Sequence, residues 1–206
     1  MTDDYRGSFF APPSHVRYFG KGVVGGVKGK VNPITVRIGD LVLFSGDGFT
    51  DRLIQFGERM HLSKGHRIYA TVNHAATVVS VTATDVVVQE MDGGGGRLTN
   101  LADYEASGRR FAIVSVDSAG TAQRVAAQAV ASWYVNIPYG WASIVSDGIY
   151  CLTGLPLFLT VGQSVVCSAS AVAAQRCLGL IPDKPDIAVM PSDLARYFDV
   201  QLKVER

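Results

Sequence analysis

Cysteine is scarce in this chain: Cys151, Cys167 and Cys177 are its only three, an odd number with no Cys-x-x-Cys pair. That excludes a disulfide framework and a paired-thiol zinc site, and it points to free thiols in a reducing compartment. Net charge is equally sparse. Nineteen Lys and Arg against eighteen Asp and Glu leave +1, too little to bind nucleic acid or an acidic membrane by bulk attraction. A basic, apolar leader is missing, because Met1-Thr2-Asp3-Asp4 is acidic, so no signal peptide and a cytoplasmic site of synthesis are expected. The apolar run 148–166 is interrupted by Gly154, Pro156, Gly162 and Gln163; it reads as buried helix plus loop, not as a membrane span. The glycine cluster Gly93–Gly96 lacks the lysine and strand–loop–helix setting of a phosphate loop. No cofactor or metal is expected.

What is present is a chain of 206 residues, 48% hydrophobic, long enough for one domain with a substantial core. Residues 1–37 differ from the rest. Pro12-Pro13 and the glycines from Gly20 to Gly29 break regular structure, and Arg6, Arg17, Lys21, Lys28, Lys30 and Arg37 outnumber Asp3 and Asp4. This stretch reads as a basic arm outside the fold, either a tail or a segment that docks on a partner protein. Residues 38–206 form the domain. Strands are expected over 38–44, 68–81, 86–91 and 110–116. A short helix follows Thr50 or Asp51, which could cap it, and another lies around Leu101 to Glu105; Gly93 to Gly96 read as a flexible loop. Helices then dominate: 121–134, 141–152, 167–178 closed by Gly179, and 191–198, before an alternating edge strand over 200–204. Strands first and helices later give an α+β fold, an antiparallel sheet packed against helices.

The chemistry of the chain centres on Val166-Cys167-Ser168-Ala169-Ser170-Ala171. A cysteine at a helix start meets unpaired N–H groups and the positive end of the dipole, which favour thiolate over thiol. A buried small residue is the competing description of Cys167. A nucleophile needs a base, and the base needs an orienting group. Among four histidines, His15 falls in the arm and His61 and His66 flank a Lys-Gly turn. His74 sits within a strand-like run, rigidly held among small neighbours. Glu90 ends the next strand, and symmetric pairing across a turn at 82–85 places it near position 77, with diagonal reach toward 75. Glu90 is therefore a candidate orienter of His74 or a solvated strand end; Gln89 alternates to the opposite face.

In this order the motifs Gly39-Asp40-Leu41-Val42-Leu43-Phe44, Asn73-His74-Ala75-Ala76, Glu90 before the glycines, Pro138-Tyr139-Gly140-Trp141, Cys167-Ser168 and Pro191-Ser192-Asp193-Leu194 resemble the circularly permuted papain-like hydrolases, the YiiX/YebB-like branch of the NlpC superfamily. The resemblance covers about residues 38–199. It implies a permuted papain-like fold with Cys167 as nucleophile, His74 as general base and Glu90 as third member, and it sets Tyr139 and Trp141 along the substrate groove. It also implies a thiol peptidase or amidase acting on a peptidoglycan peptide or a lipid-linked acyl bond. Ala169 stands where the family places an acidic residue, and the Asp-Cys-Ser-Gly signature of the unpermuted relatives is absent. A second expectation follows: a structural or assembly component of a phage tail that keeps the hydrolase fold with weak or lost activity. Incorporation into a virion would also solve delivery to the cell wall for a protein made in the cytoplasm.

Overall fold

The computed structural model describes residues 12–20, 30–46, 49–140, 165–182 and 185–202. Six strands form one sheet: β1 (Ser14–Phe19), β2 (Leu41–Ser45), β3 (His74–Val81), β4 (Val86–Asp92), β5 (Gly95–Asn100) and β6 (Arg110–Val116). Their spatial order is β1-β6-β2-β3-β4-β5, and every described pairing is antiparallel. Among the described residues five α-helices accompany them: α1 (Phe49–His61), α2 (Leu101–Ala106), α3 (Thr121–Trp133), α4 (Cys167–Arg176) and α5 (Pro191–Tyr197). The class is α+β, as the order of periodicities predicts.

Alternation along the strands sorts the core onto two faces. Leu41, Leu43, Ala75, Ala112 and Val114 pack against Ala171 and Val172 of α4 and Leu194 and Ala195 of α5. On the other face Val42, Phe44, Ala76, Val88 and Phe111 pack against Leu101 and Tyr104 of α2. Both faces are thus covered, which explains why the central strands are apolar at nearly every position. The buried side of helix α4 is mostly alanine and serine, with Cys167, Val172 and Gln175, and these small side chains let it lie close on β3. Gly179, at φ +103°, closes it in the left-handed conformation, with Leu180 N–H bonded to the Gln175 carbonyl at 3.1 Å. Asp40, fully buried, explains the Gly-Asp motif as scaffold: its Oδ1 accepts from Arg124 Nη1 at 3.0 Å and its Oδ2 from the Arg37 N–H at 3.0 Å.

Several expectations are corrected. Residues 14–19 do not lie outside the fold: they form edge strand β1, paired along its length with β6. The surrounding glycines and prolines hide the alternation of Val16 and Tyr18, on one core, with Phe19, stacked on Phe111 at 5.1 Å on the other. A domain boundary at 37 therefore does not hold; residues 1–11 and 21–29 are outside the described residues. The glycine cluster is not a flexible loop, since Gly95 and Gly96 open β5 and only Gly93-Gly94 turn. A side chain at Gly96 would place its Cβ 1.8 Å from the Tyr134 carbonyl oxygen, so glycine is there for close approach. Helix α1 begins at Phe49, ahead of the expected cap at Thr50 or Asp51. The strand expected over 68–81 begins only at His74. Residues 200–202 form no strand. Instead, a turn through Asp199 (φ +52°) returns Val200 and Leu202 into the core. The expected helix 141–152 lies outside the described residues.

Candidate active site

Helix α4 starts at Cys167 without a side-chain cap from Val166, and the positive end of its dipole lies at the cysteine. The thiol is buried beside the His74 imidazole and the backbone N–H groups of Ala75 and Ser168, all of which favour its ionised form. Burial pushes its pKa up, but the His74 charge, the His74 hydrogen bond and the two backbone donors outweigh burial, and the net direction is down. His74 shows the complementary balance. Burial lowers it, while the Cys167 charge and bond and the Glu90 bond and charge raise it, to about 9. Both shifts favour the thiolate–imidazolium pair over the neutral pair.

His74 donates from Nε2 to Glu90 Oε2 at 2.7 Å, which leaves Nδ1 for the sulfur. How Glu90 comes to face His74 depends on one residue. A register shift between Val78 and Ser80 inserts Val79 as a bulge, so Glu90 pairs with Ala76 and not with position 77. Because successive side chains alternate, this one-residue slip moves Glu90 onto the face that Ala76 shares with His74. Gln89 pairs with Thr77 on the opposite face, as alternation predicts.

Glu90 is fully buried and all its lone-pair directions are used. Tyr104 Oη donates to Oε2 at 2.5 Å; Thr99 Oγ1 donates to Oε1 at 2.6 Å and Arg97 Nε at 3.0 Å. Burial would raise the carboxyl pKa, but the His74 bond and charge with these donors hold it far below the usual range. Glu90 is thus a permanent anion. It can fix and charge-stabilise the imidazolium without taking its proton. Arg97, half exposed, also reaches Asp92 at 2.7 Å. Sequence inspection missed this cage because it missed β5; the alternation of Arg97 and Thr99 after the glycines was the available signal.

A strap over residues 136–140 ties the two halves of the site together. Asn136 N–H donates to the Gly96 carbonyl and Gly96 N–H to the Ile137 carbonyl, each at 2.8 Å. Gly140 N–H donates to the Val165 carbonyl at 3.0 Å, and Tyr139 bridges to Val165 in parallel, two residues before the nucleophile. The expected groove residue Tyr139 is therefore at the site's margin; Trp141 lies outside the described residues.

One acid near the nucleophile was not anticipated. Glu58 of α1 is buried, its Oε1 accepting from the Ser192 N–H at 3.3 Å and its Oε2 without a partner. Burial first, with the nearby Asp193 and Cys167 charges adding to it, pushes this carboxyl well above the usual range and favours its protonated form. Gln55, a turn before it, spends its amide on the Gly46 carbonyl at 3.0 Å and does not face the thiol chemistry. Among the described residues no group of three or more His, Cys, Asp or Glu is arranged to hold a metal, and no helix is long and apolar enough to cross a membrane. Compared with protein-family models and with curated proteins, the chain matches none.

Proposed function

We propose that this protein is a cysteine hydrolase that opens an amide or ester bond by acyl transfer, with a cell-wall peptide as its substrate. The observation that carries the proposal is the relay itself: a buried cysteine at a helix N-terminus, electrostatically coupled to a histidine whose Nε2 donates to a buried, fully satisfied carboxylate. Structural histidines and cysteines need no such chain, and a lowered thiol pKa beside a cationic imidazole matches a nucleophile.

In this reading the Cys167 thiolate attacks the carbonyl carbon, and the oxyanion forms against N–H groups at the start of α4. Each such donor contributes about 3–4 kcal/mol in other enzymes. The tetrahedral species collapses as imidazolium His74 gives its proton to the departing nitrogen or oxygen, which leaves a thioester on Cys167. Neutral His74 then deprotonates water, which attacks the thioester and frees the acid. Glu90 holds one tautomer and orientation of His74 throughout. The chain order, with the His74 and Glu90 strands ahead of the nucleophile helix, supports a permuted papain-like arrangement. Carriage on a phage tail, with the N-terminal segment docked on a neighbouring protein, is the delivery route we propose.

Digestion of purified sacculi and of model acyl esters by wild type and Cys167→Ala, side by side, tests the proposal. Soluble peptides or acids released by wild type alone are expected. Equal, background-level release by both proteins overturns it in favour of a structural tail component.

A further inference from the structure

Arg97, Thr99 and Tyr104, which hold the Glu90 carboxylate, also line a cleft of about 490 Å³, together with Leu98 of β5 and Asp103 of α2. That volume is in the range of small-ligand sites. Neither Cys167 nor His74 contributes to its wall, so it is distinct from the place where acyl transfer would occur. Strand β5 is the last in the sheet and pairs with β4 along one edge only. On its other edge Gly96 spends its N–H on the Ile137 carbonyl and its carbonyl on the Asn136 N–H, so the backbone groups of Gly96 point away from β4. Backbone direction alternates along an antiparallel strand, and Leu98 therefore presents the next outward N–H and C=O. No described residue outside the sheet bonds to either. Charges of opposite sign flank this strand edge. Arg97 is half exposed and gives Nε to Glu90 and Nη1 to Asp92, two of the five N–H donors of a guanidinium. Asp103 is exposed in the first turn of α2, and its carboxylate has no partner among the described residues.

One cation, one anion and one outward backbone donor–acceptor pair define what the cleft can hold. A phosphate would gain Arg97 but meet the repulsion of Asp103, and an apolar ligand would strand both charges and the strand edge. A short peptide with free ends answers every group. We propose that this cleft binds a di- or tripeptide as an added strand: its carboxylate pairs with Arg97, its ammonium with Asp103, and one of its residues exchanges backbone hydrogen bonds with Leu98. The ligand would share Arg97 with Glu90, which sets the peptide beside the relay on the side away from His74. In the acyl-transfer reading, peptides of this kind are what the reaction releases. The binding itself does not rest on that reading, because it uses neither Cys167 nor His74.

The test is isothermal titration calorimetry of trialanine into the full chain carrying Cys167→Ala, so that the probe is not consumed. Saturable binding at one site is expected, and N-acetyl-trialanine should bind about tenfold more weakly because it lacks the ammonium. Asp103→Asn, added to the same chain, should weaken trialanine by about tenfold and erase its advantage over the acetylated peptide. Leu98→Pro removes an N–H that faces away from the β4–β5 ladder, a position where an edge strand accepts proline, and should weaken both peptides alike. Inorganic phosphate should not compete. No saturable binding of trialanine overturns the inference. So does binding that neither Asp103→Asn nor Leu98→Pro changes, which would put the peptide elsewhere, in the reaction groove for instance. Displacement of trialanine by phosphate would mean that Arg97 acts alone as an anion contact, and it overturns the inference as well. Calorimetry reads binding and not turnover, so a failure to digest sacculi leaves this result standing, and the converse also holds.

Discussion

Replacing Glu90 with glutamine removes one charge and almost no volume, so it isolates what the anion does. Raising His74 from the ordinary 6.5 to about 9 corresponds to roughly 3 kcal/mol of preference for the imidazolium. Part comes from the Cys167 charge and bond and part from Glu90, whose bond to Nε2 is 2.7 Å long. A charge-assisted hydrogen bond contributes about 1.5–3 kcal/mol, so its loss should bring His74 down by about 1–2 pKa units. The thiolate depends on the imidazolium, so the range of pH over which the ion pair exists should narrow from its alkaline side. The equilibrium constant between the ion pair and the neutral pair should also fall by about tenfold or more. The assay is the pH dependence of thiolate absorbance near 240 nm together with the iodoacetamide rate of Cys167. The far-ultraviolet spectrum and melting curve of the same samples show that the variant is folded. Glutamine also presents an N–H₂ group to the donors Arg97, Thr99 and Tyr104, so a loss of stability of about 1–3 kcal/mol is expected as well. A folded Glu90→Gln protein with an unchanged thiolate range and alkylation rate would refute the reasoning, because Glu90 would then be only a buried anchor.

Three further outcomes follow from the same coordinates. Tyr104→Phe removes one of the donors on Glu90 Oε2 and should cost about 1.5–3 kcal/mol by denaturant titration. Because Glu90 has a depressed pKa in the fold, its contribution is present above the unfolded carboxylate value and lost as pH falls; Tyr104→Phe raises the folded-state pKa, so that acid loss should be smaller and level off at higher pH. Glu58 has the opposite sign. Its raised pKa means that the folded state keeps a proton which the unfolded chain releases near 4.5, so wild-type stability should decline as pH rises above that value, and Glu58→Gln should flatten the decline in melting curves recorded from pH 5 to 8. Gly96→Ala forces a Cβ onto the Tyr134 carbonyl at 1.8 Å and should destabilise the protein by about 2–4 kcal/mol or displace the 136–140 strap, measured by chemical denaturation.

The elements with clear periodicity were legible in the sequence. Strands β2, β4 and β6 and helices α3, α4 and α5 all fall within a few residues of their expected spans, because alternation and capping act locally. So were the three relay residues, since Cys167, His74 and Glu90 each stand out by chemistry against apolar or small neighbours. The failures share a cause. Glycine density signals freedom in an isolated chain, but here Gly95 and Gly96 are fixed by the backbone that crosses them, so β5 and its Arg97 and Thr99 were hidden. Strand β1 was hidden in the same way by its Gly- and Pro-rich flanks. Glu58 gave no signal at all, since a charged residue on an amphipathic helix is ordinarily exposed and only tertiary packing buries it.

Glu90 shows most sharply what sequence pattern can and cannot decide. Unbroken pairing from the 82–85 turn puts position 90 opposite 77, and a residue opposite 77 faces away from a histidine at 74. Glu90 would then lie on the α4 side of the sheet with Gln89 in its place, leaving His74 beside an uncharged amide. Val79 reverses this by occupying one extra position in β3, so that 76 pairs with 90 while 81 still pairs with 86. Nothing in the run Thr77-Val78-Val79-Ser80 marks which valine is the extra one, because both are small enough to bury on either face. The choice is made by neighbours distant in sequence: Val79 packs with Val116, Ala127 and Ala131 under α3, and Gln128 of α3 donates to the Val79 carbonyl at 2.6 Å. Helix α3 therefore acts on the candidate site without touching it, by holding the bulge that turns the third relay residue toward the second.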